Sequence, residues 1–168
     1  MDILVDFEIG ERVVYASHGI GEIVGIEPQS IGQHVIQVYV ISLTQNNMTL
    51  KVPINRAISS GLRRLSSHDV LKDVYQTLES KPKIKSRMWS RRVQEYEFKL
   101  HSGDLVSVAE VVRDLYKPPD SNSSYSERNL YESALSRLAS EMSALESMMH
   151  DEVVAKLTDI LKSTRIAA

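Results

Sequence analysis

The stretch FEIGERVVYASHGIGEIVGIE, residues 7–27, decides how the first part of the chain folds. It holds two short runs rich in valine, isoleucine and tyrosine, and the glycine-containing sequence SHGIG at 17–21 lies between them. β-branched and aromatic residues favour strands, and glycine supplies the backbone angles that a tight turn needs. The stretch therefore predicts two strands joined by a turn.

Two further strand-like runs extend this pattern, HVIQVYVISL at 34–43 and MTLKVPI at 48–54. Turn signals precede both runs, and Pro53 marks the point where the last strand leaves its ladder. About five short strands with tight turns are typical of a small closed sheet. We therefore predict a small β-barrel over residues 1–65.

Residues 66–168 change to a helical spacing of apolar residues, which predicts about five helices packed as one C-terminal domain and an α+β chain overall. Ser66 with Asp69, and Ser124 with Glu127, have the spacing of capping boxes and predict two helix starts. Helices are predicted from 66 onward, over about 86–103, over 104–117, over about 124–149 and over the last apolar run.

The composition is that of an ordinary globular protein, with 42% hydrophobic and 25% charged residues in 168. The absence of cysteine excludes disulfides, thiol nucleophiles and cysteine-based zinc sites, and it fits a reducing compartment. No apolar run reaches the ~18 to 20 residues of a membrane span, and the acidic start lacks the features of a signal peptide. We expect a soluble cytoplasmic protein with no membrane partner.

The residues that could support catalysis match no catalytic motif. The five histidines have no metal-ligand spacing, and SHGIG matches neither a nucleophile elbow nor a phosphate-binding loop. A small hydrolase built on SHGIG would lose its activity with Ser17 or His18. We predict instead that the protein is not an enzyme and that it needs no cofactor and no metal.

The basic sequence KPKIKSRMWSRR, residues 81–92, is the feature that departs most from routine composition. It carries six basic residues, and no acidic residue occurs between Glu79 and Glu95, although the net charge of the chain is only −2. Such a cluster is often a solvated face, but cations joined to a large planar side chain also suit nucleic acid. The sequence therefore makes this cluster a candidate anion-binding patch.

Trp89 within that cluster is open to two interpretations. It shares a helical face with Val93, Tyr96 and Leu100, a spacing that is typical of core residues. It also falls in the first turn of its predicted helix, where an indole can project beyond the end of the packed core. The residues alone do not decide between packing and contact with nucleic acid.

Five motifs, in this order along the chain, resemble the CarD/CdnL family of bacterial RNA polymerase-binding transcription regulators. They are FEIGERVVYASHGIGEIVGIE, MTLKVPI, GLR at 61–63, WSRR at 89–92 and VAEVVRDLY at 108–116. The resemblance runs over nearly the whole chain. It implies a Tudor-like N-terminal barrel that docks on the β subunit of RNA polymerase, with Lys51 as the leading candidate for the contact and Pro53 and Ile54 in the same strand.

The resemblance also implies that the helical domain touches promoter DNA at the upstream edge of the transcription bubble. Trp89 matches a tryptophan that the family inserts into the minor groove, Arg91 matches its basic neighbour, and Arg128 lines up with a further basic position. With the basic cluster, the expected DNA-binding residues are Lys85, Arg87, Trp89, Arg91 and Arg128. Arg92, which completes WSRR, is open to a structural role instead.

Ala16 replaces a proline that is common in the family, and Gln29, Gln94 and Asn129 stand where some relatives carry basic residues. The leading interpretation is a monomeric accessory factor that binds polymerase and stabilises the open promoter complex. The alternative is a polymerase-binding adaptor whose helices recruit another protein. DNA with a fork junction would change polymerase affinity only under the first interpretation.

Overall fold

The computed structural model describes residues 7–15, 18–43, 47–84, 87–102, 104–118 and 121–167. The chain divides into two compact units, Met1–Leu65 and Ser66–Ala168, which we call the N-terminal unit and the helical unit. A sheet in the first unit and helices in the second confirm the predicted α+β class. None of the helices in the described part of the chain has both the length and the apolar content needed to cross a lipid bilayer.

The N-terminal unit is built on an antiparallel sheet whose strands are paired in the order β4-β3-β2-β1-β5. The strands are β1 (Arg12–Tyr15), β2 (Gly19–Ile31), β3 (His34–Leu43), β4 (Thr49–Pro53) and β5 (Leu62–Arg64). A 3₁₀ turn, Ile54–Arg56, follows β4. Among the described residues no ladder joins β4 to β5, so the closure of the sheet into a barrel stays a prediction.

The predicted pair of strands in residues 7–27 is confirmed as the β1–β2 hairpin, with Arg12 opposite Glu22 and Tyr15 opposite Gly19. Gly19 has a φ of +90°, a conformation that side chains rarely adopt. At Gly21 an added Cβ would lie 2.6 Å from the Ile41 side chain. The hairpin therefore needs one glycine for its backbone conformation and the next for close packing of β2 against β3; Ser17, in the same SHGIG sequence, lies outside the described residues.

The core of the N-terminal unit fills one face of this sheet. Its buried members are Phe7, Val13, Ile23, Tyr39, Ile41, Leu43, Val52, Ala57 and Leu62. The phenol of Tyr39 accepts a hydrogen bond from the backbone N–H of Phe7 at 3.1 Å, and the two rings meet edge to face at 5.6 Å. Burial of this large polar side chain is therefore compensated inside the core.

The described part of the helical unit forms five helices, as expected. They are α1 (Asp69–Glu79), α2 (Trp89–His101), α3 (Leu105–Leu115), α4 (Tyr125–Glu146) and α5 (His150–Ala167). The middle of the unit is α3, which packs against α1, α2 and α4. Because it is surrounded, α3 is buried over most of its length, and only Val106, Ser107 and Glu110 of its sequence LVSVAEVVRDL are half-buried.

The two predicted capping boxes have different outcomes. The hydroxyl of Ser124 accepts a hydrogen bond from the backbone N–H of Glu127 at 3.1 Å, which confirms the start of α4. The box at Ser66 is wrong, because α1 begins only at Asp69, with His68 as its N-cap. The backbone N–H of Ser66 instead donates to the buried carboxylate of Glu141 on α4, at 2.8 Å.

The predicted end of the fourth helix near Met149 is also three residues too late. The helix ends at Glu146, and Ser147 caps it in the left-handed conformation with a φ of 55°. Met149 then lies between α4 and α5 and is 71% exposed, so it is not part of the core. Apolar spacing alone continues across the break because α5 resumes a similar pattern.

Candidate polymerase and nucleic-acid interfaces

Trp89 is the first residue of α2, and its side chain is half-buried. The preceding residue, Met88, is extended and exposed, and its carbonyl accepts the backbone N–H groups of Arg91 at 3.2 Å and Arg92 at 3.1 Å. The helix therefore begins abruptly at the tryptophan. This places the indole at the N-terminal end of α2, on the side of the helix that follows the coil 81–84 in the sequence.

The guanidinium of Arg92 fixes the indole from one side. It lies 5.5 Å from the ring centre of Trp89 and 5.5 Å from that of Tyr96, while the two rings are 6.4 Å apart. The phenol oxygen of the buried Tyr96 accepts two hydrogen bonds from Arg92, at 3.0 and 3.2 Å. Arg92 therefore acts within the structure, as a cation in contact with both aromatic rings.

Burial increases along the face of α2 that carries Trp89. Trp89 and Val93 are half-buried, whereas Tyr96 and Leu100 are buried. The common face predicted from spacing is thus present, and its first turn reaches the edge of the core. Trp89 packs on Arg92 and is also partly accessible to solvent. It is therefore neither a fully buried core residue nor a fully exposed side chain.

Exposed cations lie on both sides of Trp89 in the sequence. Arg87 precedes α2 and Arg91 lies on its first turn, and both are exposed, as are Lys81 and Lys83 in the preceding coil. Lys85, also predicted to bind DNA, lies outside the described residues. Gln94, one turn further along α2, is exposed. At this position, where some members of the family carry a basic residue, the chain therefore presents a neutral amide to solvent.

An ion-pair network anchors α2 to α3. The ammonium of Lys99 on α2 lies 2.8 Å from a carboxylate oxygen of Glu110 on α3 and 3.6 Å from one of Glu95. Burial alone would lower the pKa of Lys99, but the hydrogen bond and negative charge of Glu110, with the charge of Glu95, raise it overall. Lys99 therefore stays charged and keeps α2 in place on α3.

Arg128 lies on the first turns of α4 and is exposed. It lines a 380 Å³ cavity together with Lys117, Glu127 and Tyr131, and Lys117 forms an ion pair with Glu127 at 2.7 Å. Burial, with the nearby Tyr116, raises the pKa of Tyr131 to about 12, so its phenol keeps its proton. Because Lys117 pairs with Glu127, its positive charge near Arg128 is partly neutralised.

The start of α4 also lies beside α2. Val93 and Glu97 of α2 and Asn129 of α4 line one groove. Because Asn129 follows Arg128 directly, the structure brings the turn that carries Arg128 close to α2. No three His, Asp or Glu side chains of the described residues cluster in a way that could hold a metal ion.

Two of the residues predicted to bind polymerase lie on the edge strand of the sheet. Lys51 and Pro53 belong to β4, the last strand of the ladder, and face Val40 and Val38 across it. The ammonium of Lys51 is exposed and lies 3.7 Å from a carboxylate oxygen of Glu27 on β2. Lys51 and Glu27 therefore cover the face of the sheet that points away from the core.

The other two candidate residues of this unit, Ile54 and Gln29, differ in burial. Ile54 begins the 3₁₀ turn after β4 and packs, half-buried, against the core of the N-terminal unit. Gln29 is exposed on β2, opposite Ile36. Ile54 thus supports the end of β4 from within, whereas Gln29 is available at the surface.

Sequence reasoning missed a buried pair of charges, Arg113 and Asp114, near the end of α3. Both lie in the motif VAEVVRDLY, where they follow the apolar pair Val111 and Val112 and precede Leu115. Two charges among these apolar residues were the available signal, since charged residues are almost never fully buried unless they are paired. Apart from each other, their partners are Ser80, Lys83 and Arg165, which are distant in sequence.

The comparisons with known proteins follow the same division of the chain. Residues 7–66 match the model of the CarD-like/TRCF RID domain, and residues 73–158, just over half of the chain, match that of the CarD C-terminal domain. The chain is also 28% identical over 148 residues to YdeB of Bacillus subtilis strain 168, named as a candidate transcription factor. That similarity covers 88% of this chain and 97% of YdeB. With both of its domain models matched in order, the chain belongs to the CarD family.

Proposed function

We propose that this protein is a cytoplasmic transcription regulator that binds the β subunit of RNA polymerase through its N-terminal unit and stabilises the open promoter complex through its helical unit. The RID domain match supports the polymerase contact, and the name of YdeB supports a role in transcription. It acts as a monomer and is not an enzyme. Promoter DNA at the upstream edge of the bubble is the second partner.

The observation that carries the proposal is the half-buried indole of Trp89, with the exposed cations Arg87 and Arg91 two residues before and after it in the sequence. Arginines neutralise phosphates without reading sequence, and an apolar plane inserted at a base step offsets the unstacking cost of a few kcal/mol. An indole held by Arg92 on one side loses little further freedom when it inserts. Lys85 and Arg128 extend the phosphate contacts in this proposal.

The polymerase contact is assigned to β4, through Lys51, Pro53 and the adjoining Ile54. An edge strand presents backbone groups that another chain can pair with. The exposed ammonium of Lys51 would exchange its partner Glu27 for an acidic group of the polymerase. Strand pairing then supplies affinity, and the lysine supplies selectivity for an acidic surface.

The test is the lifetime of open promoter complexes formed by the polymerase of the same organism with the full-length protein. Trp89→Ala should shorten the lifetime toward that without the protein. Phe98→Ala is the matched control, because Phe98 lies on the same helix, is 77% exposed and does not follow the Trp89 face. Equal lifetimes for wild type and Trp89→Ala would refute the DNA contact.

A second candidate function is favoured by two exposed aromatic residues. Phe98 on α2 and Tyr125 at the start of α4 are 77% and 75% exposed, and large exposed aromatic side chains are enriched where proteins meet. Under this alternative the helical unit recruits another protein while the N-terminal unit binds polymerase. Polymerase affinity would then be the same with and without fork-junction DNA.

A further inference from the structure

The buried pair Arg113 and Asp114 holds together three parts of the helical unit. The two residues are 5% and 6% exposed, and the Arg113 Nε lies 2.9 Å from the Asp114 Oδ1. Arg113 Nη1 donates to the hydroxyl of Ser80, the C-cap of α1, at 2.9 Å. The Arg113 carbonyl accepts a hydrogen bond from Arg165 on α5 at 2.7 Å.

A further bond of the pair reaches the exposed coil that leads to Arg87 and Trp89. The backbone N–H of Lys83 donates to the same Asp114 Oδ1, at 3.0 Å. Residues 81–84 form neither helix nor strand, and Lys81, Lys83 and Ile84 are exposed. Backbone bonds within a regular element therefore do not hold this coil in place, and its position depends on contacts such as the one to Asp114.

A buried ion pair adds little to the free energy of unfolding, because desolvation of the two charges offsets their attraction. Removing both ions from water carries a large desolvation cost, and an apolar pair of similar size is often equally stable. A carboxylate that accepts both a guanidinium and a backbone N–H does, however, fix a chain in one position. For a coil that carries cations, a fixed position lowers the entropy lost when those cations bind phosphates.

We propose that Arg113 and Asp114 are positioning residues, which hold residues 81–84 and thereby direct the cations of this coil and of the start of α2 toward the DNA backbone. This rests on the proposed function above. Neither residue contacts DNA itself, since both are buried. Asp114 acts on the coil through the Lys83 N–H, and Arg113 orients the Asp114 carboxylate and braces Ser80.

The test compares Lys83→Ala with Lys83→Pro in the full chain. Both variants remove the exposed lysine side chain, but only proline also removes the N–H that Asp114 accepts. Binding to a labelled fork-junction duplex is measured by anisotropy over a series of salt concentrations. We expect the slope of log K against log salt to become less negative by about 1 to 2 more for proline than for alanine.

Equal slopes for the two Lys83 variants would overturn the positioning role, as would rapid exchange of the Lys83 amide in the wild-type protein. A second pair tests the bond from the other side without changing the coil. Arg113→Met is combined with Asp114→Asn, which keeps an acceptor, or with Asp114→Leu, which does not. At equal melting temperatures, the Asn variant should keep a steeper slope than the Leu variant, because only asparagine can accept the Lys83 N–H.

Trp89→Ala and Arg91→Ala, measured in the same assay, separate this inference from the proposed function. If both bind the duplex as tightly as wild type, the helical unit does not contact DNA through this face and the proposed function fails. If both weaken binding while Lys83→Pro matches Lys83→Ala, only the positioning role fails.

Discussion

The guanidinium of Arg92 lies 5.5 Å from the ring centre of Trp89, three residues earlier on the same helix. Trp89 and Arg92 belong to the motif WSRR, which also contains Arg91. The two arginines have different surroundings. Arg91 is exposed, whereas Arg92 is half-buried and donates two hydrogen bonds to the phenol of Tyr96. Two adjacent arginines therefore have separable roles, one toward solvent and one toward the indole.

The first prediction uses this difference. Arg92→Met should lower the free energy of unfolding by about 1 to 3 kcal/mol, because it leaves the buried Tyr96 hydroxyl without its donors and removes the stacked cation. Arg91→Met should leave the unfolding free energy within about 0.5 kcal/mol of wild type and make the salt dependence of DNA binding less steep. Urea unfolding and duplex titrations measure the two effects. The same destabilisation in both variants would contradict the assignment.

The second prediction concerns the stability of Trp89→Ala. A fully buried tryptophan costs about 3 to 5 kcal/mol when truncated, and an exposed one about 0.5 kcal/mol or less. Since Trp89 is half-buried against Arg92 and Tyr96, we expect a loss of about 1 to 2 kcal/mol. Thermal unfolding followed by far-UV circular dichroism gives this value. A loss at the fully buried level would mean that the indole cannot leave its packing to meet DNA.

The third prediction concerns β4. Lys51→Glu should abolish capture of the full-length protein by immobilised RNA polymerase, because it places a repelled carboxylate beside Glu27 and removes the cation from the edge strand. Arg12→Glu makes the same charge change at an exposed position of β1 and should leave capture nearly unchanged. Similar losses in both variants would indicate a response to net charge and would remove the case for β4.

The fourth prediction uses two glycines of β2. Gly21→Ala should destabilise the protein by about 1 to 3 kcal/mol, because its Cβ would lie 2.6 Å from the Ile41 side chain and 2.9 Å from the Ser42 carbonyl oxygen. Gly25→Ala should be tolerated, since its nearest neighbour would be Val40 at 4.0 Å. Denaturant unfolding of both variants checks the contrast. Loss of stability at Gly25 alone would show that the register of β2 on β3 is different.

The fifth prediction is a pH dependence. Glu11 accepts a hydrogen bond from the backbone N–H of Glu8 at 2.9 Å and pairs with Arg64, and these contacts lower the pKa of its carboxyl below the ordinary value of 4.5 although partial burial opposes them. The stabilisation is therefore complete above that value and is lost as the pH falls through the lower folded-state pKa. Glu11→Gln should flatten the acid limb of the stability profile of the full-length protein. Profiles that run parallel to wild type between about pH 3 and pH 5 would exclude this contribution.

Local chemistry explains which parts of the fold could be predicted. The β1–β2 hairpin and the start of α4 depend on residues within a few positions of one another, and both were predicted correctly. The capping box at Ser66 failed for the opposite reason, because a carboxylate 75 residues away on α4 accepts its N–H. Spacing rules describe a helix in isolation and do not include such partners.

The same reason limits what could be predicted of the candidate site. Its exposed cations are visible as a run of letters, whereas the half-burial of Trp89 depends on where Arg92 and Tyr96 place their side chains. The bond between Asp114 and Lys83 joins residues 31 positions apart. Neither feature follows from periodicity, which assigns a face to a residue but not a depth.

Trp89 is the only tryptophan in the chain, and its indole is half-buried beside a guanidinium at the proposed DNA contact. The tryptophan fluorescence of the unlabelled protein, at wavelengths longer than tyrosine emission, therefore arises from this one side chain. Stacking on a base would quench that emission, and release of Arg92 would shift its wavelength, so occupancy and rearrangement could be followed separately in real time. The family's proposed contact point thus carries its own optical reporter in this protein, with no dye attached.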